Sequence, residues 1–323
     1  MAKRIIAGLI AATAFVALLY FSDIPFLFRG VITAASVLAV YELLTALKSP
    51  KSLKILSIVY IVLSAISQVL IFGTPIGNWT SNRLIQLDII IFDIVFIFSA
   101  LFFNTFLPFL FILAALTFFL FRKKITFSGA AKTVLGTFII SYAFTTLINL
   151  IEIGSAETPF SSEAGVYLLI LACIAAWFTD IGGYFAGRFL GGKIFKNRKL
   201  APNLSPKKTI EGAIGGVIVC ILTFLLAEII YTTIFLNEYS WQSERGVSWQ
   251  LILIVAPILS VCSIGGDLIA SKIKRETGVK DFGSIMPGHG GLLDRCDSLL
   301  IVAPLLYAML FLTDTTLFIA RWF

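Results

Sequence analysis

The strongest constraint on this chain is a succession of apolar runs too long for the core of a water-soluble domain. They lie at about residues 5–21, 26–46, 53–72, 86–121, 130–151, 165–186, 210–236, 249–271 and 298–320. A helix crosses a bilayer with about 20 apolar residues, and most of these runs reach that length. Of the 323 residues, 59% are hydrophobic and 13% charged, and the mean hydropathy is +0.98. No soluble fold of this size could cover so much apolar surface, which excludes a soluble enzyme, a disordered chain and a secreted disulfide scaffold. Backbone in lipid must satisfy its own hydrogen bonds, and the runs lack the alternating pattern of a barrel, so they read as helices. The expected fold class is all-α, a polytopic transmembrane helical bundle.

Basic residues orient the bundle. Lys3 and Arg4, Lys48, Lys51 and Lys54, Arg122 to Lys124, and the loops 187–209 and 272–296 are cationic, whereas 152–164 and 237–248 are not. Cations mark cytoplasmic loops, and about nine spans, with the N-terminus inside and the C-terminus outside, place every basic cluster on one side. A hairpin within 86–121, which Asn104 and Pro108 interrupt, would give ten. Residues 1–21 read as an uncleaved first span rather than a signal peptide. The net charge of +7 therefore belongs first to cytoplasmic loops, and nucleic acid is not an expected partner. Cys173, Cys220, Cys262 and Cys296 show no CxxC spacing and read as small packing residues.

The composition shifts near residue 165. Residues 1–164 are N-terminal transmembrane helices with short links, and 165–323 form the region expected to carry chemistry, on cytoplasmic catalytic loops. Thirteen of the 25 Lys and Arg lie between Arg188 and Arg295. In the first polar block, Asp180 interrupts an apolar run, which puts it at an interface or a polar cavity. Gly183 with Gly187, and Gly212 with Gly216, have the spacing of close helix packing. Ser205 to Glu211 reads as an ordered turn entering a helix whose free N–H groups suit an anion. In the second block, Asp267, Ser271 and Lys274 share one helical face, with Arg275 beside it. Gly288, Gly290 and Gly291 surround His289, the one histidine. Asp267 closes one helix and Asp294 opens another, a pair of hard-oxygen ligands that suits Mg²⁺ with substrate phosphates. Asp297, three residues after Asp294, can project with it.

Ser271-x-Ile273-Lys274-Arg275-x4-Lys280-Asp281-x5-Pro287-x-His289-Gly290-Gly291-x2-Asp294-Arg295-x-Asp297 closely resembles the signature of the phosphatidate cytidylyltransferases, so the signature lies at 271–297. Ser205-Pro206-Lys207-Lys208-Thr209-x-Glu211-Gly212 and Asp180-x2-Gly183-Tyr184-x2-Gly187 resemble two further motifs of that family. One position departs: Cys296 stands where the family has an aliphatic residue or threonine. The resemblance implies cytidylyl transfer from CTP to phosphatidate, giving CDP-diacylglycerol and pyrophosphate. It implies Lys274, Arg275, Lys280, Asp281, His289, Arg295 and Asp297 as catalytic residues. Asp180, Tyr184, Ser205, Lys207, Lys208, Thr209, Glu211, Ser271, Gly288, Gly290 and Gly291 would bind substrate. Asp267 and Asp294 would hold Mg²⁺, with a second cation and a homodimer as open alternatives. The expected location is the cell (inner or plasma) membrane, multi-pass, with the site facing the cytoplasm. The competing classes are a transporter, for which Asp88, Asp93, Asp180 and Glu228 would line a path, and a related transferase acting on an isoprenoid lipid.

Overall fold

The computed structural model describes residues 13–21, 24–72, 107–121, 125–152, 162–194, 199–202, 204–234, 249–285 and 290–312. Five helices among them are long and apolar enough to cross a membrane: Phe26–Ala46, Phe127–Glu152, Ala164–Phe189, Ile210–Ile234 and Trp249–Thr277. Shorter apolar helices cover Leu107–Phe121 and Leu299–Leu310. The chain is an all-α polytopic membrane protein. The nine-span count draws on runs at 5–21 and 86–121 that lie partly outside the described residues, as do Asp88 and Asp93.

Two compact units divide the chain. One comprises Tyr20–Ser141. Its helices are α1 (Pro25–Ala46), α2 (Lys51–Phe72), α3 (Leu107–Phe121) and the first part of α4 (Phe127–Glu152). Tyr60 stacks on Phe111 at 4.6 Å, and Phe138 meets both rings edge-on. Hydroxyl pairs tie Ser49 to Thr133 at 2.9 Å and Thr137 to Ser57 at 3.0 Å. Between helices in lipid, where apolar contact alone offers little preference, such pairs fix register.

The other unit, Met1–Leu19 with Tyr142–Phe323, carries the polar loops. Its helix α5 (Ser162–Cys173) passes through a π turn, Ile174–Phe178, into α6 (Thr179–Phe189). A short antiparallel pair follows, β1 (Lys199–Ala201) and β2 (Ser205–Thr209), with Lys199 opposite Thr209. Then come α7 (Ile210–Ile234), α8 (Trp249–Thr277), the single turn α9 (Leu293–Cys296) and α10 (Leu299–Leu312). The four cysteines are free thiols, two of them buried.

Helix α7 shows why this unit needs a bilayer. Ile214, Ile218, Leu222 and Leu226 recur every four residues and are 46, 51, 60 and 55% exposed. A stripe of this kind is untenable in water and ordinary in lipid. The opposite face buries Gly212, Gly216, Cys220, Phe224 and Glu228. Glu228 accepts the Tyr167 hydroxyl at 2.5 Å, and Tyr231 stacks on Tyr167 at 4.3 Å.

The expected packing through small residues holds α6 against α7. A Cβ on Gly216 would lie 2.6 Å from the Thr179 carbonyl oxygen, and one on Gly212 would lie 2.8 Å from the Gly183 carbonyl oxygen. Backbone cannot yield as a flexible side chain does, so Gly216→Ala must push the helices apart, at a cost of about 1–3 kcal/mol. Gly265, inside α8, has nothing within 4 Å of the same added atom. There Ala should gain about 0.5–1 kcal/mol by restricting the unfolded chain. Thermal midpoints in detergent should therefore move in opposite directions for Gly216→Ala and Gly265→Ala. Equal shifts would mean that the α6–α7 contact does not limit stability.

Candidate active site

The close α6–α7 contact brings one helical face of α6 beside the hairpin. Asp180, Tyr184 and Arg188 stand at i, i+4 and i+8 and so share that face. They line a cavity of about 480 Å³ with Ser205, Lys207, Lys208 and Thr209 of β2 and with Ile264 and Asp267 of α8. The π turn prepares this wall. Ser263 donates to the Ala176 carbonyl inside the turn at 3.3 Å, and the Thr179 hydroxyl donates to Ser260 at 2.9 Å. These bonds anchor α8 to the residues just before Asp180. π turns often occur where a helix carries a functional residue.

Hairpin and helix join at Thr209, whose buried hydroxyl accepts the Gly212 N–H at 3.1 Å and caps α7. Two residues on, buried Glu211 accepts the Gly192 N–H at 3.0 Å and holds the segment after α6. The strand ahead of this junction leaves Lys207 exposed and turns Lys208 inward. Lys208 is in direct contact with the Asp267 carboxylate, and its ammonium is 3.9 Å from Asp180. One cation thus links carboxylates from two transmembrane helices.

A second cluster lies at the start of the last helices. Lys274 contacts Asp294 at 3.0 Å and Asp297 at 3.7 Å, with all three side chains largely withdrawn from solvent. The other Asp294 oxygen, Oδ2, accepts the N–H groups of Phe282 at 2.8 Å and Gly291 at 3.0 Å. Asp294 therefore clasps both sides of the loop that leads into α9. Asp297 accepts the Ser298 N–H at 2.8 Å. Burial pushes its carboxyl up to about 7, and the negative charges of Asp267 and Asp180 act in the same direction, while Lys274 and the Ser298 amide oppose them. Asp297 thereby connects the two clusters electrostatically.

Of the residues expected to act, the cavity collects Asp180, Tyr184, Ser205, Lys207, Lys208, Thr209 and Asp267. The second cluster collects Lys274, Asp294, Asp297, Gly290 and Gly291. Arg275, Lys280, Asp281 and Arg295 are exposed, Ser271 is half-buried, and Glu211 and Ser271 are not among the cavity-lining residues. Gly288 and His289 lie outside the described residues. Asp267 does not end its helix: α8 runs on to Thr277. Sequence reading passed over Thr179, Leu200, Ile264 and Arg188, all in the cavity wall. The i, i+4, i+8 spacing from Asp180 was the available signal for Arg188.

A divalent cation would find hard oxygen here. Among the described residues no three acidic, thiol or imidazole side chains converge on one point. Mg²⁺, however, commonly takes one or two carboxylates and completes its shell with water and phosphate. Asp267 and Asp294 each face a lysine ammonium, so each already sits opposite positive charge. Asp294 has only Oδ1 to offer, because two backbone amides occupy Oδ2.

The model of the cytidylyltransferase family matches residues 2–313. The phosphatidate cytidylyltransferase of Bacillus subtilis (strain 168) is 28% identical over 312 residues, covering 96% of this chain and 97% of the relative. That of Staphylococcus haemolyticus is 32% identical over 301 residues, covering 92% and 96%. That of Haemophilus influenzae is 38% identical over 167 residues, 50% of this chain and 54% of its own.

Gly290 makes the clasp testable. Its φ is +84°, and an added Cβ would lie 2.9 Å from Asp294 Oδ2. Gly278 has φ +75° but nothing within 4 Å. A side chain in left-handed backbone costs about 1–2 kcal/mol at either position. Gly290→Ala should lower the thermal midpoint more than Gly278→Ala, because it also displaces the Asp294 carboxylate. Equal losses would show that the clasp adds nothing beyond backbone strain.

Proposed function

The chain belongs to the cytidylyltransferase family, and from that premise we propose that it transfers the cytidylyl group of CTP to phosphatidate, giving CDP-diacylglycerol and pyrophosphate. The observation that carries this reading is the Lys208 bridge between Asp180 and Asp267, which unites two distant sequence blocks in the wall of one cavity. The reaction asks a protein to hold two anions together and to stabilise charge between them, by positioning and electrostatics.

A phosphate oxygen of the lipid attacks the α-phosphorus of CTP in line. The new P–O bond forms as the bond to the α,β-bridging oxygen breaks, and pyrophosphate departs with that electron pair. The lipid phosphate is the nucleophile, so no serine or cysteine adduct is needed. Lys207, Lys208 and Lys274 offset the phosphate charge, and Arg275, Lys280 and Arg295 extend the cationic surface. Asp267 and Asp294 would hold Mg²⁺, each through an oxygen now facing a lysine. Bound there, the ion would supply Lewis-acid neutralisation of phosphate charge. Asp294 keeps its second oxygen on the loop amides, so the ligand also anchors the glycine turn. Asp297 positions Lys274.

The test is a purified preparation in mixed micelles with phosphatidate and radiolabelled CTP. A lipid-soluble labelled product supports the reading. Label transferred to a polyprenol and not to phosphatidate would assign the chain to the isoprenoid-lipid branch. Asp267→Asn keeps size but removes the ligand charge, so activity should fall by about a hundredfold or more. The Mg²⁺-dependent rise in thermal midpoint should also shrink, since that rise is binding free energy. Parent-like activity in this variant would move the metal elsewhere.

The cationic loops should face the cytoplasm, the compartment that supplies CTP. In a cysteine-free background, Ser284→Cys should resist an impermeant thiol reagent in intact cells and react in inverted vesicles. Labelling from outside would reverse the proposed orientation.

A further inference from the structure

We infer that Arg188 is the docking residue for the phosphomonoester head group of the membrane lipid, and that Tyr184 holds its guanidinium at the head-group rim of the cavity. This rests on the cytidylyl transfer proposed above and names how its lipid substrate is held.

The cations of the site are unevenly committed. Lys208 faces two carboxylates, and so does Lys274. Arg188 lines the cavity and donates one hydrogen bond, from Nη1 to the Tyr184 hydroxyl at 2.9 Å. Among the described residues no carboxylate pairs with it. A guanidinium carries five donors in a planar fork that matches phosphate oxygens two at a time. Among the described residues, four of those donors have no protein acceptor, and the one that does meets a neutral oxygen. Such a cation in a cavity wall is matched to an anionic ligand.

Position separates a lipid from a nucleotide. Lys207, the other cavity cation without a carboxylate partner, stands on the hairpin between transmembrane helices. Arg188 stands in the last turn of a transmembrane helix, one residue before the apolar span Ala164–Phe189 ends. An arginine there lays its stem along the apolar end of the helix and keeps its head in the head-group layer. Around it, Ile181, Phe185 and Phe189 are exposed, and the two phenylalanine rings stack with centroids 6.2 Å apart. Exposed aromatics on a transmembrane helix face acyl chains. Tyr184, exposed and apolar in body with a polar tip, is a typical residue of the membrane–water boundary. A ligand that meets this arrangement on both counts has a phosphate dianion at its head and hydrocarbon behind it. Its phosphate would point along the face from Arg188 toward Asp180 and Lys208, where the nucleotide is to be cleaved.

The experiment separates the two phosphate-bearing substrates. Initial rates are measured with the mole fraction of phosphatidate varied at saturating CTP, and then with CTP varied at saturating phosphatidate. Arg188→Gln should raise KM for phosphatidate by about tenfold or more, the scale of one lost charge-assisted phosphate contact, and leave KM for CTP within about twofold. Arg188→Lys, which keeps the charge and loses the fork, should recover part of that loss. Tyr184→Phe should raise the same KM by less. A rise in KM for CTP instead would assign Arg188 to the nucleotide, and unchanged constants for both substrates would also overturn the inference. If Arg188→Gln fails to fold, Arg188→Lys and Tyr184→Phe still discriminate, because both must shift the lipid constant alone. Binding of a fluorescent short-chain phosphatidate to detergent-solubilised protein without CTP provides a readout independent of turnover. A parent that binds this probe through Arg188 but makes no labelled lipid sinks the proposed reaction and leaves the site standing. A parent that turns over normally, with probe binding unchanged in Arg188→Gln, does the reverse.

Discussion

Everything at the candidate site depends on how closely the backbones of α6 and α7 approach. Glycines on both helices let carbonyls of one lie where side chains of the other would otherwise be. In lipid, where burying apolar surface gives no net drive to associate, this close van der Waals contact is a main source of helix affinity. It also sets geometry. The residues that follow α6 and the hairpin that precedes α7 are drawn together, and Lys208 reaches Asp180 of one helix and Asp267 of a third. Had those glycines been leucines, the helices could still span a membrane, but the two halves of the cavity would not meet.

Carboxylates outnumber the lysines that pair with them there. Asp180, Asp267, Asp294 and Asp297 are served by Lys208 and Lys274, each lysine lying between two carboxylates. The imbalance is visible in Asp297, whose carboxyl is held up near 7 by burial and by its acidic neighbours. Arg188 and Lys207 in the cavity wall add positive charge that, among the described residues, is not committed to a carboxylate pair, and the charge of Arg295 acts on Asp180. Under the proposed reaction, the site would also receive two phosphate-bearing substrates. The divalent ion proposed for Asp267 and Asp294 would, if bound, add the neutralisation of phosphate charge that the lysines alone do not supply.

Much of this was legible in the sequence. Apolar runs gave the helices, and the glycine pairs at 183, 187, 212 and 216 gave their contact, because spacing of small residues is a local signal. The dense Lys–Asp–Gly blocks pointed to the second half of the chain. What escaped was tertiary or depended on irregular backbone. The π turn at Ile174–Phe178 adds a residue to a helical turn without changing composition, so an apolar run cannot reveal it. The end of α8 was only half legible: the spacing of Asp267, Ser271 and Lys274 gave a shared helical face, yet Asp267 also read as closing the helix because the residues turn polar there, and that polarity marks exit from lipid rather than the helix end. Pairing of Lys208 with Asp267 joins positions 59 apart in sequence, where no periodicity applies. Arg188 was missed because a single arginine near a helix end reads as an ordinary positive-inside residue.

The continuation of α8 beyond Asp267 bears on where the proposed chemistry would sit relative to the membrane. Helix α8 has 29 residues. At 1.5 Å per residue it is roughly 43 Å long, well beyond the hydrocarbon core of about 30 Å. If its apolar start lies at one face of the core, some twenty residues bring the chain to the other face near Asp267. Lys274, seven residues on, then stands roughly 10 Å farther out along the same rigid axis. One helix therefore sets two depths, a carboxylate at the boundary of the hydrocarbon and an ammonium in the aqueous layer. Helix α6 carries Asp180 at the depth of Asp267, since Lys208 reaches both, and Arg188 stands eight residues, roughly 12 Å, farther out along the helix. A lipid phosphate and a soluble nucleotide can meet only in that layer, since the first cannot leave the membrane and the second cannot enter it. The long helix is thus more than a span: it carries the membrane's own coordinate into the cavity wall.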